Sequence, residues 1–434
     1  MPTGFHLLIA TQFCSALADN ALLIVTIALL AEQGLPGWWA PLLKFAFTLS
    51  YVFLAPVVGP LADAVPKARL MVCMNGVKIA GVVALMAGLH PVLAFAIVGF
   101  GAAAHAPAKY GLVTEIVGAE RLVAANGWIE VSVVCAALLG TVTGGFLVSD
   151  WLRGSAPSAL ARGWLAVSGG VSTLSLSLFV LLAIYGLSTL LNLGVPESGA
   201  RYAATRIHPV ELTRDFLRAN RLLWRDADGG LSLAVTTIFW GVGATLQFAV
   251  LRWAVDVMAL TLDRAAYLQA ATAIGVVVGA ALAGRHVALA RARQVLPFGI
   301  ALGLLIPVIA SAGSLWLAIP LLGLVGAVGG VLVVPLNALL QHRGFQLLSA
   351  GRSVAVQGFN ENLSILCMLA TYAALVASDV PIVQLMWVLG LAIAAAIAGL
   401  IVRERRRAAR RYAGAAAAAS SSPASEPLLP SSAE

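Results

Sequence analysis

The segment GPLADAVPKARL (59–70) is a short polar interruption between two long apolar runs. The runs on either side, 39–61 and 69–89, each hold roughly 20 residues, the number that crosses the hydrocarbon core of a bilayer as a helix. An aspartate, a lysine and an arginine are concentrated in the interruption, where they can stay in contact with water. This pattern predicts two membrane-spanning helices joined by a short loop.

The same alternation continues along the chain and predicts twelve spans. Of the 434 residues, 60% are apolar and only 11% are charged, against roughly 25% in soluble domains, and the mean hydropathy is +0.94. This composition excludes a disordered chain, an ordinary cytosolic enzyme and a nucleic-acid-binding domain. The predicted spans lie near 5–33, 39–61, 69–89, 91–107, 122–148, 164–194, 231–257, 266–284, 295–312, 314–340, 352–377 and 380–402.

The basic residues are distributed unevenly between the two sets of loops. One set, together with the C-terminal tail, holds 21 of the 27 Lys and Arg residues, whereas the opposite loops hold only Arg153, Arg162 and Arg264. Because cytoplasmic loops of membrane proteins are enriched in Lys and Arg, this asymmetry predicts that both termini are cytoplasmic. The net charge of +8 is therefore interpreted as an orientation signal, and no nucleic-acid partner is expected.

A basic stretch separates the first six predicted spans from the last six. We expect an N-terminal six-helix bundle in 1–194, a cytoplasmic linker in 195–230, a C-terminal six-helix bundle in 231–402 and a basic, then disordered, cytoplasmic tail in 403–434. Within the linker, ELTRDFLRANRLLW (211–224) has the pattern of an amphipathic helix that lies on a membrane surface.

The two halves share a weak internal repeat. GFGAAAHAPAKYG (99–111) and GAVGGVLVVPLNALLQHRG (326–344) each read as a Gly-rich helix that ends at a proline before a basic loop. NGWIE (126–130) and QGFNE (357–361) then open the following spans with a Glu at similar depth. Chance similarity is the alternative, but polar residues match as well as small ones, which favours duplication. The expected fold class is an all-α membrane protein with twelve transmembrane helices in two six-helix halves.

The loop at 59–70 resembles the signature loop of the major facilitator superfamily. Gly59, Asp63 and Lys67 match its pattern, whereas its arginine, its second glycine and its last basic position are replaced. A carboxylate here can meet the positive N-terminus of a helix from the other half. We therefore expect Gly59, Asp63 and Lys67 to form a conformational latch, with Arg352 as a possible second partner of Asp63.

Five further segments resemble a narrower family, the bacterial lysophospholipid transporters. This resemblance implies a flippase of the bacterial inner membrane that moves lysophosphatidylethanolamine and related lysophospholipids to the cytoplasmic leaflet. It also implies functional coupling to a separate acyltransferase/acyl-carrier-protein synthetase, which re-acylates them. The similar segments run in collinear order from about residue 8 to residue 402 and are QFCSALADNALL (12–23), HAPAKYGL (105–112), FWG (239–241), VVPLNALLQ (333–341) and QGFNEN (357–362).

Charged side chains inside spans are costly and are functional candidates by default. Asp19 and Glu361 match acidic residues of the central cavity in the resembling family, where a carboxylate can bind an ethanolamine ammonium. The structural alternative for Asp19 is a buried ion pair with Lys78 of span three. The other candidates for substrate binding are Asn20, Lys109, Glu130, Gln247 and Arg252.

Recognition of the phosphate is the open point in this site. Gln247 aligns with an arginine of the family, and this chain instead carries Arg252, five residues on and about 140° around the helix. Because Asp256 follows Arg252 by four residues, a local ion pair is the simpler interpretation of Arg252. Either another cation, with Lys109 as the best alternative, contacts the phosphate, or Gln247 does so as a neutral donor.

The acyl chain of such a substrate sets a requirement on the route. Burial contributes about 0.8 kcal/mol per methylene, so the chain is expected to stay in lipid while the headgroup crosses a polar cavity by alternating access. Glycines at small-xxx-small spacing allow helices to approach and part. We expect a sideways opening between spans five and eight, with Gly144 of GTVTGG (140–145) and Gly279 of GVVVG (275–279) in the gap.

Two other functions compete with lipid transport. The first is a proton-coupled drug or metabolite antiporter of the same superfamily. Those antiporters share a Gly-Pro-x-x-Gly-Gly element in span five. The comparable segment of this chain, 140–145, lacks the proline, which disfavours this function. A membrane acyltransferase would need an Asp five residues after a His, and none of the six histidines has one. The four cysteines lie in apolar stretches without metal-ligand spacing, so no enzymatic activity, metal or cofactor is expected.

Overall fold

The computed structural model describes residues 1, 3–35, 39–155, 157–158, 160, 174–200, 202 and 208–421. Part of the sixth predicted span and the last residues of the tail lie outside these ranges. All regular structure in the described residues is helical. Twelve long helices are present: α1 Thr3–Glu32, α2 Trp39–Ala64, α3 Lys67–Met86, α4 Pro91–Ile116, α5 Leu122–Leu147, α6 Ser175–Leu193, α7 Ala227–Asp256, α8 Leu262–His286, α9 Leu296–Ala310, α10 Leu315–Leu347, α11 Ala350–Ala377 and α12 Ile382–Ser421.

The twelve helices, with α9 extended by the 3-10 turn before it to Leu289–Ala310, are long and apolar enough to cross a membrane, which confirms the predicted number of spans. Their apolar runs exclude a soluble arrangement, because a helix that is apolar on all sides must face lipid or other apolar helices. Within the described residues, four further elements lie between them: 3-10 turns at Ala119–Arg121 and Leu289–Val295, a short helix at Asp150–Arg153, and a 17-residue linker helix at Pro209–Arg225.

Helices α1–α6 form one half of the bundle and α7–α12 form the other, each with its own apolar core. The halves meet mainly where α2 and α4 pack on α11, and where α5 packs on α8 and α10. We call the contact of α2 with α11 the first seam and the contact of α5 with α8 the second seam. The basic face is the face of the bundle at which α2, α4 and α10 end and α3, α5 and α11 begin.

Both seams are closed at the basic face, and the first seam loosens toward the opposite face. In α11, the buried residues all lie in the first three turns, and no residue from Glu361 to Ala377 is buried. Backbones come very close at the closed ends: a Cβ on Gly351 would lie 2.6 Å from the Gly59 carbonyl oxygen, and one on Gly127 would lie 3.2 Å from Gly284 Cα. The cleft between the halves is therefore open only toward the opposite face.

Two expected helix ends were wrong. Pro107 and Pro335 lie inside α4 and α10, which continue to Ile116 and Leu347. A proline removes one backbone hydrogen bond, but ending the helix within the membrane would leave several polar groups unpaired. Consequently Lys109 lies within α4 and is 8% exposed, where a loop position had been expected.

The connection between α2 and α3 is also shorter than the predicted loop. Asp63 lies in the last turn of α2 and Lys67 is the first residue of α3, so only Val65 and Pro66 connect the two helices. Pro66 precedes the first helical residue, and its fixed φ of −51° suits this position. The two charges are thereby held on helix ends.

The linker and the tail differ from their expected forms. The amphipathic helix expected at 211–224 is present, but its apolar face packs on the bundle: Phe216 and Leu223 join a cluster with Ala55 of α2 and Val356 of α11. Burying this face against apolar helix ends removes it from water as effectively as a membrane surface would. In the tail, helix α12 continues to Ser421, since its Arg and Ala residues are strong helix formers.

The expected positions of two glycines were wrong as well. Gly144 packs closely on α1, and Gly279 packs closely on α10, so each lies inside one half and not in a gap between halves. Helices α5 and α8 do meet, but through Gly127 and Gly284 at the basic face. The spacing of small residues indicates that a helix makes a close contact, but it does not indicate which helix is the partner. The expected partners of Gly144 and Gly279 were wrong for this reason.

Candidate functional site

Asp19 lies in the middle of α1, where side chains from α3 and α6 hold its carboxylate. Lys78 Nζ lies 2.7 Å and 3.0 Å from its two oxygens, and the Tyr185 hydroxyl donates to Oδ1 at 2.6 Å. The ion pair considered as the alternative for Asp19 is therefore present. Its lysine side chain is 3% exposed and its carboxylate side chain 17% exposed, so the carboxylate is the accessible partner.

Neutral side chains fix the lysine of this pair. Lys78 Nζ also donates to Ser15 Oγ at 2.9 Å, and Ser15 in turn donates to Asn75 Oδ1 at 3.2 Å. The Asn75 amide donates to Ser188 Oγ at 3.1 Å, which ties α1, α3 and α6 together. In the described part of the chain, Asn20 next to the pair hydrogen-bonds within its own helix, to the Ala16 carbonyl at 2.8 Å.

A second buried cation lies on α4. Lys109 Nζ donates to Gln12 Oε1 of α1 and lies 4.2 Å from the centre of the Tyr110 ring. It is also within electrostatic range of Asp19 and of Glu130, a buried carboxylate of α5. The first half thus brings two lysines and two carboxylates together along its inner wall.

The second half contributes a smaller cluster around Glu361. The Gln357 amide donates to Glu361 Oε1 at 2.9 Å and to Asn337 Oδ1 of α10 at 3.1 Å. Thr236 of α7 faces the same carboxylate, while its hydroxyl donates to the Leu233 carbonyl at 3.3 Å. Glu130 and Glu361, the glutamates of the internal repeat, interact electrostatically across the cleft. The candidate site therefore spans both halves.

The two candidates on α7 lie on different sides of that helix. At 100° per residue, Gln247 is about 20° around the helix from Thr236, whereas Arg252 is about 160° away. Gln247 is exposed, on the strip that begins at Thr236. Arg252 Nε lies 3.0 Å from Asp256 Oδ2, which is the local ion pair expected from their spacing.

Several neutral side chains of the site are not predicted from the sequence. Tyr185, Gln12 and Asn337 contact the candidate charges, yet a single polar residue in an apolar span carries no clear signal. Gln357 could have been found, because it occupies the first position of the QGFNE segment. Two buried ring nitrogens, His105 Nε2 and Trp240 Nε1, have no hydrogen-bond partner among the described residues.

The expected latch residues meet at the first seam. Asp63 accepts hydrogen bonds from the Gly351 backbone N–H at 2.9 Å and from the Ser349 hydroxyl, at the start of α11. A carboxylate is favoured at this position by the helix dipole and the free N–H groups. Arg352 interacts electrostatically with Asp63, and its Cα lies 3.0 Å from a Cβ built on Gly59.

Lys67 has a closer partner than Asp63. Its Nζ lies 2.6 Å from Glu115 of α4 and 3.9 Å from Asp63, with all three side chains buried. The Tyr202 hydroxyl of the linker donates to Glu115 at 2.5 Å, and the Ser198 hydroxyl donates to the same carboxylate. Burial, together with this hydrogen bond, raises the pKa of Tyr202 above its ordinary value, so the hydroxyl remains a donor.

Beside the second seam, an uncharged contact between α5 and α10 also joins the halves. The side chains of Asn126 on α5 and Gln341 on α10 exchange two hydrogen bonds of 2.9 Å and 3.0 Å. Both amides are buried, and each satisfies the other's donor and acceptor. This pair holds the basic face closed on the side away from Asp63.

An added methyl group at residue 351 is expected to force the first seam open. The Cβ of Gly351→Ala would lie 2.6 Å from a backbone oxygen and 2.7 Å from Asp63 Oδ1. In a variant lacking native cysteines, labelling of Ala355→Cys in the seam should therefore rise. Gly358→Ala on the same helix is the control, since its nearest neighbour is 4.0 Å away. Equal labelling of the two variants would contradict a closed seam.

Comparison with known proteins agrees with this architecture. The family model described as Major Facilitator Superfamily matches residues 8–366. Solved structures with a similar fold include the human organic anion transporter MFSD10 (TM-score 0.71, 13% identity, 92% of this chain and 100% of that one). The fucose:proton symporter FucP of E. coli is also similar (TM-score 0.70, 15% identity, 93% and 98%).

This chain is much more similar in sequence to a narrower group of proteins. The lysophospholipid transporter LplT of Yersinia enterocolitica is 40% identical over 382 residues, which cover 88% of this chain and 89% of that protein. LplT of Yersinia pestis is 40% identical over 377 residues, or 86% and 87% of the two chains. The twelve-helix bundle and these similarities together show that the chain belongs to the major facilitator superfamily and, within it, to the family of bacterial lysophospholipid transporters.

Proposed function

We propose that this protein is a flippase that moves lysophosphatidylethanolamine and related lysophospholipids across the bacterial inner membrane to the cytoplasmic leaflet. The observation that carries the proposal is the pair of accessible carboxylates, Asp19 and Glu361, on opposite walls of one cleft. Each is held by hydroxyl or amide groups, and each can accept charge-assisted hydrogen bonds from an ethanolamine ammonium. The 40% identity to proteins named lysophospholipid transporters supports the substrate class.

The rest of the headgroup would be bound along the same cleft. Lys109 supplies positive charge for the phosphate from the first half, and Gln247 supplies a neutral donor from α7. Glu130 lies beside Lys109 and sets the balance of charge there. Asn20 would adjust the position of Asp19, and Arg252, which is paired with Asp256, would contact the substrate only at the entrance.

Orientation follows from the distribution of charge. We propose that the basic face is cytoplasmic, because it carries most of the Lys and Arg residues. The cleft then opens to the outer leaflet, and the acyl chain remains in lipid at a seam between the halves. Closing the opposite face and parting the basic face would deliver the substrate to the inner leaflet, where a separate acyltransferase would consume it.

Competition experiments test the substrate class. Flipping of fluorescent lysophosphatidylethanolamine by the purified protein in liposomes should be inhibited by unlabelled lysophosphatidylethanolamine. Soluble glycerophosphoethanolamine should compete at least tenfold less well, because it lacks the acyl chain whose burial contributes about 0.8 kcal/mol per methylene. Efficient competition by the headgroup alone would favour the alternative function, a proton-coupled metabolite antiporter.

Glu361→Gln is expected to reduce flipping about 10- to 100-fold without loss of folding. A hydrogen bond to a charged group contributes about 1.5–3 kcal/mol. The neutral amide of Gln retains the shape of the side chain and an oxygen that still accepts the hydrogen bond from Gln357. Initial flipping rates and thermal unfolding would be measured together. Glu120→Gln, the same change at an exposed position of the basic face, is the control. A well-folded Glu361→Gln protein with normal flipping would remove Glu361 from the site.

A further inference from the structure

The outward side of the linker helix carries a narrow row of basic residues. At 100° per residue, its four arginines fall within about 60° of one another. This row lies roughly opposite the side that is buried against the bundle, and all four residues are exposed. We call it the arginine stripe, and it consists of Arg214, Arg218, Arg221 and Arg225.

Most of the charge in the stripe is not neutralised by the protein. Among the described residues, only Arg218 forms an ion pair, with Asp215 at 3.3 Å. That pair is largely exposed, with 71% of the arginine side chain accessible, so water and salt weaken it. The stripe therefore presents at least three uncompensated positive charges to whatever lies beside the helix.

An apolar edge runs along one side of the stripe. Val210 and Leu217 are 61% and 56% exposed, and both lie on the same edge of the helix as Trp224. Helices that lie at a membrane interface have this combination of cations and exposed aliphatic or Trp side chains. A soluble acidic partner would explain the charge but not the apolar edge beside it.

The linker helix also lies at the level where headgroups are expected. It packs across the first seam, with Phe216 in a cluster with Ala55 of α2 and its ring 5.1 Å from the ring of Phe359 of α11. Its C-terminal end leads directly into α7 at the basic face. We propose that the arginine stripe and its apolar edge are a docking surface for the headgroups of anionic diacyl phospholipids in the leaflet at the basic face.

Lipid bound at this surface would act on the transport site through two side chains. Trp224 Nε1 donates to Asn360 Oδ1 at 3.0 Å, and the Asn360 amide donates to Asn220 Oδ1 at 2.9 Å. Asn360 is the neighbour of Glu361 on α11. Anionic lipid that holds the linker helix in place therefore favours the closed basic face, and a leaflet poor in anionic lipid favours its opening.

Lipid retention by the full-length protein tests this proposal. The protein in neutral detergent would be titrated with dioleoylphosphatidylglycerol or dioleoylphosphatidylethanolamine, and bound lipid counted by native mass spectrometry. Each arginine near an anionic surface contributes about fivefold in affinity. Arg214→Gln/Arg221→Gln should weaken phosphatidylglycerol binding about 25-fold, whereas Arg214→Lys/Arg221→Lys should preserve it. The matched control is Arg285→Gln/Arg291→Gln, which removes two exposed charges elsewhere on the basic face.

Three outcomes would overturn the docking surface. The wild-type protein could bind the two lipids equally, the two glutamine variants could lose affinity equally, or the stripe variant could bind phosphatidylglycerol normally. In the last case, the arginine stripe would bind an acidic protein or face solvent. Unchanged thermal unfolding of the variants would show that the fold is intact. Because bound diacyl lipid is measured and not flipping, the result does not depend on the proposed substrate.

Discussion

Asp19→Asn is expected to abolish flipping, and removing Lys78 as well is expected to restore stability without restoring flipping. Asp19 and Lys78 form a buried ion pair at 2.7 Å. Losing one partner of such a pair costs about 3–5 kcal/mol because the other charge is left uncompensated, whereas replacing both is often nearly neutral. In Asp19→Asn/Lys78→Met the structural penalty is relieved, but the carboxylate that would bind the ammonium is still missing.

The measurement is flipping and thermal unfolding of the single and double variants in the same liposomes. The control is Arg153→Met/Glu32→Gln, which removes another ion pair of the first half, at 3.7 Å and partly exposed. This control should flip lysophosphatidylethanolamine normally. If the Asp19→Asn/Lys78→Met protein also did so, the ion pair would be a structural element only, and the headgroup would be recognised by Glu361 and its neighbours.

Asp63→Ala is expected to shift the conformational balance toward an open basic face by at least tenfold, with substrate binding retained. The change removes two hydrogen bonds that the carboxylate accepts at the start of α11, from Ser349 and from the Gly351 N–H. Hydrogen bonds to a charged group contribute about 1.5–3 kcal/mol each. Asp63 does not contact Asp19 or Glu361, the carboxylates proposed to bind the substrate. The affinity for the substrate should therefore change little.

Cysteine accessibility measures this shift. In a variant without the native cysteines, Ala355→Cys reports the basic face and Ala374→Cys reports the opposite face. The Asp63→Ala change should raise labelling at 355 and lower it at 374. Glu120→Ala, which removes an exposed carboxylate of the same face, should leave both unchanged. Loss of substrate binding with unaltered labelling would show that Asp63 acts on the site and not on the balance of states.

The span count and the general architecture could be predicted because they depend on the length of apolar runs, which is a local property of the chain. Helix ends were predicted less well. Pro107 and Pro335 look like terminators in a soluble context, but in a membrane the helix continues because ending it leaves more groups unpaired. The apolar face of the linker helix was visible from its spacing, whereas the surface that covers it depends on how α2 and α11 meet.

The charged candidates of the site were visible because charges inside spans are rare. Their pairing was not, because it depends on which helices become neighbours: Lys78 reaches Asp19 across 59 positions of sequence. The same limit explains why Lys109 was counted with a basic loop, although it is buried against Gln12. Neutral partners such as Tyr185 are invisible in a single sequence, since only their position beside a charge distinguishes them.

The glycine contacts of the two seams bear on how tightly the membrane stays insulated. Gly59 contacts Gly351, and Gly127 contacts Gly284. At the closed ends of the seams, backbone therefore packs directly on backbone without side chains between them. Since a Cβ at these positions would overlap the facing backbone, the contacts leave no room for water between the paired helices. Buried apolar residues of both halves, among them Val58, Ala283 and Val334, surround these contacts and exclude water as well. The insulation of the membrane against proton leakage therefore depends on these glycine contacts together with the apolar side chains packed around them.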